Sequence, residues 1–195
     1  RKVLLRGAYY GRYLPSGHLV YIQQGKLFAV RFDPAKWETG GAPVAILEDV
    51  ACEPAGGSAQ LDFSRNGTLI YGSGKAAGAA RSLMWLDSTG KLEPLPAKPG
   101  EYISPRFSPD GKWLALTRYS GGRDLWVYEW QRDVMNRLTA TSESDSWPAW
   151  SPGGKHIAYT SGREIHWIRA DGSSPSKRLT DGKQYRIPFS FTPDG

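Results

Sequence analysis

The chain has 195 residues, with 23 glycines, 14 prolines and 12% aromatic side chains; this length supports a substantial core in one or two domains, and the composition describes a turn-dense β protein. The formal net charge is +6, but the basic residues are spread along the chain and interleaved with acids, so the clustered footprint of a nucleic-acid binder is missing. The longest apolar runs are a few residues, such as LWVY at 125 to 128, far short of the roughly 20 residues a membrane-crossing helix needs, and no membrane insertion of this segment is expected.

Four groups of short strands are predicted in chain order, each group opening on a tight turn. The first has GRYL, HLVYIQ, KLFAVRF and PVAILED; the second has AQLDFS, TLIYGS, SLMWLD and LEPLPA. The third has SPRFS, KWLALTRY, DLWVYEW and MNRLTA, and the fourth SWPAWS, KHIAYT, EIHWIRA and SKRLTD. Runs rich in β-branched and aromatic residues, bounded by Gly, Pro, Asp and Ser, read as antiparallel strands joined by hairpins, here termed a, b, c and d.

The turn between a and b sets the period. Its glycines, Gly17, Gly67, Gly111, Gly154 and Gly195, fall roughly 41 to 50 residues apart, and units of this length with four strands are propeller blades. In the Pro109-Asp110-Gly111 version, Pro presets φ, Asp bonds nearby backbone and Gly accepts positive φ, so the chain reverses. The aromatic before each turn, Tyr13, Phe63, Phe107, Trp150 and Phe191, occupies one register. These rings are assigned to packing between blades, where burial of one contributes roughly 1.5 to 3 kcal/mol.

The expected fold is therefore all-β: a β-propeller of four antiparallel four-stranded blades plus partial flanking strands, belonging to a larger or composite ring. The repeats run over about 9–50, 59–97, 102–140 and 145–180, with 1–7 a stray last strand and 186–195 the first strand of a further blade. Open blade faces make a homodimer an expectation.

Signals for chemistry are sparse. GSGKAAG at 72 to 78 lacks the spacing of a phosphate loop and falls at a b to c hairpin rather than before a helix. His18, His156 and His166 show no metal-ligand spacing, and no nucleophile elbow is present. Cys52 is the single cysteine, which excludes an internal disulfide framework. No catalytic residue, metal or cofactor is assigned.

The fourth repeat, WPAWSPGGKHIAYTSGREIHWIRADGSSPSKRLT, resembles the TolB-like, WD40-like (PD40) β-propeller repeat through Ser151 to Lys155, Asp171-Gly172 and Arg178 to Thr180. The third resembles it through Ser108 to Lys112 and Arg137 to Thr139, whereas the first two depart from it, with Leu14 in place of Ser and Arg65-Asn66 in place of Pro-Asp. The resemblance extends to propeller regions that accompany bacterial serine/threonine kinases and certain peptidases. It implies a noncatalytic module for protein interaction or ligand sensing within a larger polypeptide, or else the substrate-gating propeller of a peptidase whose catalytic domain lies elsewhere. It also favours a periplasmic or other extracytoplasmic address over the cytoplasm.

Propeller partners meet the face built from d to a and b to c loops, which vary while the sheets stay fixed. Tyr102, Trp147 and Tyr185 on the d to a side, with Arg123 and Arg163 in the b to c turns, are the candidate binding residues for a protein or peptide partner or a small ligand, because Trp, Tyr and Arg concentrate interface energy. Arg81 is a further b to c arginine. The alternative is that the arginines pair with the adjacent Asp124 and Glu164 and that Trp147 packs on a blade edge.

Overall fold

The computed structural model describes residues 3–53, 58–64, 67–73, 82–87 and 89–192. Every regular element among them is a β-strand. The first sheet has the order β1-β2-β3-β4, with β1 Tyr9–Leu14, β2 His18–Gln23, β3 Lys26–Asp33 and β4 Glu38–Leu47. A short pair follows, β5 Cys52–Glu53 with β6 Ser58–Ala59.

The second sheet joins β7 Leu61–Phe63, β8 Leu69–Gly72, β9 Leu83–Leu86 and β10 Leu92–Pro94 in sequence order. The third has β11 Glu101–Phe107, β12 Leu114–Tyr119, β13 Arg123–Glu129 and β14 Val134–Arg137. The fourth has β15 Asp145–Trp150, β16 His156–Ser161, β17 Glu164–Arg169 and β18 Lys177–Arg178. Four antiparallel up-and-down sheets of four strands are the blades expected from the repeat.

The chain forms two compact units. One holds the first sheet and the β5–β6 pair; the other holds Leu61–Gly72 with Gly78–Gly195, hence sheets two to four. Within the first unit Val20, Ile22, Leu27 and Val30 are buried, and the Tyr9 hydroxyl donates to Cys52 Sγ at 3.0 Å.

In the second unit, the sheets stack through two apolar layers. Ile70 and Leu83 of the second sheet meet Phe107, Leu114, Leu116 and Tyr128 of the third, and Ala115, Leu125 and Val127 of the third meet Ile157, Tyr159 and Ile168 of the fourth. Directional bonds fix the stacking: Phe107 N–H donates to Asp62 Oδ2 at 2.8 Å, and Trp150 Nε1–H donates to the Arg106 carbonyl at 3.0 Å. Phe107 also stacks on Trp85, with ring centroids 5.7 Å apart. Two of the turn-preceding aromatics thus pack between blades as expected. Tyr13 does not: it is 47% exposed, touching Phe32 edge-on within its own sheet.

The a to b turn is held mainly by its serine. Ser108 N–H donates to the Trp113 carbonyl at 2.8 Å, and Trp113 N–H returns to Ser108 Oγ at 2.9 Å. The hydroxyl in turn donates to Asp110 Oδ1 at 2.6 Å, while Gly111 takes φ of 72°. Ser151 and His156 repeat the pairing at 2.9 and 3.1 Å, with Gly154 at 67°. A side chain with both donor and acceptor closes such a turn from within; Leu14 in the first sheet has neither, and its turn rests on the Leu14–His18 strand pairing and on Gly17 N–H donating to the Leu14 carbonyl at 3.0 Å.

Three of the four strand a elements share a bulge that the sequence did not announce. Pairing slips between Tyr9 and Arg12, between Ile103 and Arg106, and between Ser146 and Ala149. Tyr10, Ser104 and Trp147 sit inside these slips with φ of 54°, 53° and 59°. Non-glycine residues hold this conformation only where surrounding structure dictates it, and its recurrence three residues before the turn aromatic makes it part of the repeat.

The expected flanking strands are absent from the described residues. Residues 3–7 and 186–192 carry no strand. Residues 193–195, with the last turn glycine, lie outside the described residues, as do Arg65-Asn66, Arg81 and most of GSGKAAG.

Candidate functional site

The closing Arg-Leu-Thr of the third and fourth repeats builds the face on which the candidate residues lie. Leu138 N–H donates to the Leu125 carbonyl at 2.8 Å, and Leu125 N–H donates to Thr139 Oγ1 at 3.0 Å. Leu179, Ile165 and Thr180 reproduce both bonds at 2.8 Å each. The arginine then reaches across to the acid that opens strand c: Arg137 Nη2 lies 2.8 Å from Asp124 Oδ2, and Arg178 Nη1 lies 3.2 Å from Glu164 Oε1. Glu164 Oε2 also meets His166 Nε2 at 3.3 Å.

The pairing of the b to c arginines with the adjacent acids does not form. Asp124 and Glu164 are engaged by strand d, not by their sequence neighbours. Arg123 and Arg163, at the starts of β13 and β17, are exposed and have no ion-pair partner among the described residues. Two solvated guanidiniums therefore stand at one end of adjacent sheets, each with its donors uncommitted.

The d to a loops press against the same turns. Gly162 N–H donates to the Ser144 carbonyl at 3.3 Å, and a Cβ on Gly162 would lie 2.7 Å from Glu143 Oε2, one on Gly182 2.6 Å from Glu164 Oε1. Thr141 Oγ1 bonds Asp145 Oδ2 at 3.0 Å, and Asp145 is fully buried with its Oδ1 lacking a partner. Nothing in the sequence distinguishes Asp145 from the neighbouring Glu143; only the start of β15 carries it inward.

The remaining candidates divide. Tyr185 is 56% exposed on the strand-free stretch beyond β18. Nearby, Arg186 Nη1 bonds Asp181 Oδ1 at 3.0 Å, a contact that holds the Asp181 carboxyl below its ordinary range, and the Arg186 carbonyl accepts from Thr160 Oγ1 at 2.7 Å. Trp147 is half-buried at the strand a bulge.

Tyr102 is a correction. Expected in a surface loop, it is 3% exposed within the core cluster. Its hydroxyl donates to the Lys98 carbonyl at 2.6 Å, burial raises its pKa, and Arg118 sits over its ring at 5.9 Å. The strand begins at Glu101, three residues before the expected SPRFS, so Tyr102 is drawn into β11.

No group of three or more His, Cys, Asp or Glu among the described residues is placed to hold a metal ion, and no helix there is long and apolar enough to cross a membrane. The histidines make local contacts: His18 with Ser16 Oγ at 3.1 Å, His166 with Glu164 and Ser176, and His156 stacked on Trp167 at 4.5 Å between centroids.

A protein TolB homolog from Chlorobium luteolum is 35% identical over 115 residues, covering 54% of this chain and 25% of the relative. The solved structure of putative TolB from Agrobacterium tumefaciens matches with a TM-score of 0.67 at 24% identity, over 89% of this chain and 62% of that one. This chain carries a TolB-like β-propeller. It spans a quarter of the length of the curated relative. The family model for the dipeptidyl peptidase IV (DPP IV) N-terminal region matches residues 115–189 of the propeller. A prolyl endopeptidase structure shares the fold, with a TM-score of 0.62 at 13% identity over 91% of this chain and 30% of that one.

Proposed function

We infer that this propeller is a noncatalytic binding module of a larger bacterial polypeptide, engaging a protein or peptide partner through the face of its b to c and d to a loops. The observation that carries the reading is the pair of exposed arginines, Arg123 and Arg163, left uncommitted because strand d arginines take the neighbouring acids. Guanidinium forks suit a partner surface bearing carboxylates or peptide carbonyls, and the exposed Tyr185 adds an aromatic side chain. A sensor or docking region beside a kinase domain is one polypeptide in which such a module works. The TolB-like resemblance favours an extracytoplasmic address.

The test is photo-crosslinking in cells making the full-length protein, with a photoreactive amino acid at position 185. One partner should be captured in good yield, and the double change Arg123→Glu/Arg163→Glu should remove it. Capture indifferent to that charge reversal contradicts the reading.

A second reading has its own support. The match to the DPP IV N-terminal region over 115–189 and the prolyl endopeptidase likeness fit a propeller that screens substrates for an attached peptidase. A serine nucleophile elbow followed by Asp and His in the same polypeptide, with peptide hydrolysis that changes when Arg123 and Arg163 are reversed, would select it.

A further inference from the structure

The second unit contains two clefts of the same construction, one between sheets two and three and one between sheets three and four, both at the end of the sheets formed by a to b and c to d turns. The cross-strand register sets the equivalences. Leu69 pairs with Phe63 and Leu86, Leu114 with Phe107 and Tyr128, and Ile157 with Trp150 and Ile168. Trp85 thus corresponds to Val127, Phe107 to Trp150, Thr68 to Trp113, and Trp130 to Ala170.

The first cleft is filled by its own aromatics. Trp130 packs edge-on against Trp85 with centroids 4.7 Å apart, Phe107 stacks on Trp85, and about 200 Å³ is left. Its rim carries Asp87, Lys91 and Glu93, acids outnumbering the single base, with Lys91 paired to Glu93 at 2.6 Å.

The second cleft is open to about 670 Å³, because Val127 and Ala170 replace the two tryptophans that plug the first. Trp113 and Trp150 remain as apolar walls, with Leu138 beside them. The rim is electropositive. Arg137 is committed to Asp124 and Arg169 to Asp171, while the exposed Lys155 has no ion-pair partner among the described residues.

We propose that the cleft between the third and fourth sheets is a second binding site, which takes an acidic peptide segment of a partner protein with an apolar side chain seated between Trp113 and Trp150 and a carboxylate on Lys155. The volume is that of a site for several side chains rather than one ion, the tryptophan walls supply the burial energy, and the excess of cations selects the sign of the ligand's charge. Lys155 and the tryptophan walls lie toward the a to b turns, away from the b to c turns of Arg123 and Arg163, and the proposal stands independently of the loop-face reading.

The experiment titrates the full-length protein with an acetylated decapeptide alternating Leu with Asp, alongside its Asn counterpart, following tryptophan fluorescence and the indole resonances of Trp113 and Trp150. The acidic peptide should bind and shift both indoles, with the neutral one roughly tenfold weaker. Ala170→Trp, which rebuilds the plug seen at Trp130, should abolish binding. Lys155→Glu, a change on an exposed side chain that leaves folding intact, should weaken it at least tenfold. Equal binding of both peptides, binding that survives Lys155→Glu, or displacement of the peptide by acetate at equal concentration overturns the proposal.

Discussion

The second and third sheets have the same strand order but close differently. At the end of the third sheet, strand d is fixed by the Leu138 backbone bond, the Thr139 hydroxyl on Leu125 N–H, and the Arg137–Asp124 pair. In the second sheet the equivalent of Leu138 is Leu95, whose N–H donates to the Leu83 carbonyl at 2.9 Å, and Pro94 and Pro96 flank it where Arg and Thr stand in the later repeats. A proline has no N–H and no side-chain polar group, so two of the three ties are lost. The repeat therefore tolerates a blade whose last strand keeps its ladder pairing with β9 and the Leu95 backbone bond but lacks the side-chain ties, and its polar motif stands on the sheets that form the arginine face.

The largest effect that separates these regions is set by pH. Burial raises the pKa of Tyr102, Tyr128 and Tyr159 above the ordinary value of 10.0, and a hydrogen bond to Asp133 raises Tyr128 further. All three lie in the third and fourth sheets. Raised folded-state values mean that their contribution is fully present below pH 10 and is lost as pH climbs from there through the folded-state values. Alkaline titration should show one cooperative unfolding step above pH 10, seen together in tyrosinate absorbance and far-UV circular dichroism. Gradual tyrosinate formation with the fold intact would contradict these burials.

Leu116, fully buried on β12, comes next. Leu116→Ala should cost about 3 kcal/mol by denaturant titration. Arg137→Ala follows at about 2 kcal/mol, because it strands the buried Asp124 carboxylate. Thr139→Ala should cost about 1 kcal/mol through the loss of one buried hydrogen bond. Arg178→Ala, the same motif position in the fourth sheet, pairs with a less buried acid and is itself largely exposed, so roughly 0.5 kcal/mol or less is expected. If Arg137→Ala and Arg178→Ala prove equal, burial is not what distinguishes the two closures.

Much of this architecture was legible in the sequence because turns and strand alternation are local. The a to b turn announced itself through Ser, Pro, Asp and Gly, and the strands of all four sheets overlap the apolar runs, although β4 starts at Glu38, ahead of the expected PVAILED, and β11 at Glu101, ahead of SPRFS. What was not legible depends on neighbours distant in sequence. Tyr102 looked like a loop residue until β11 drew it inward against Tyr128, Tyr13 looked like a packing residue although it is exposed, and the positive φ at Tyr10, Ser104 and Trp147 has no residue signature. The site was half visible: Arg123 and Arg163 stood out by their place after turn glycines, but the commitment of Asp124 and Glu164 to strand d requires a contact 13 or 14 residues away.

The measurement that bears most directly on the function is the affinity of the full-length protein for the partner captured at position 185, compared with that of Arg123→Glu/Arg163→Glu by isothermal titration calorimetry. Loss of at least tenfold with unchanged circular dichroism is the result predicted for two uncommitted guanidiniums that face the partner. An unchanged affinity would contradict the account, and would move the interaction away from the b to c turns.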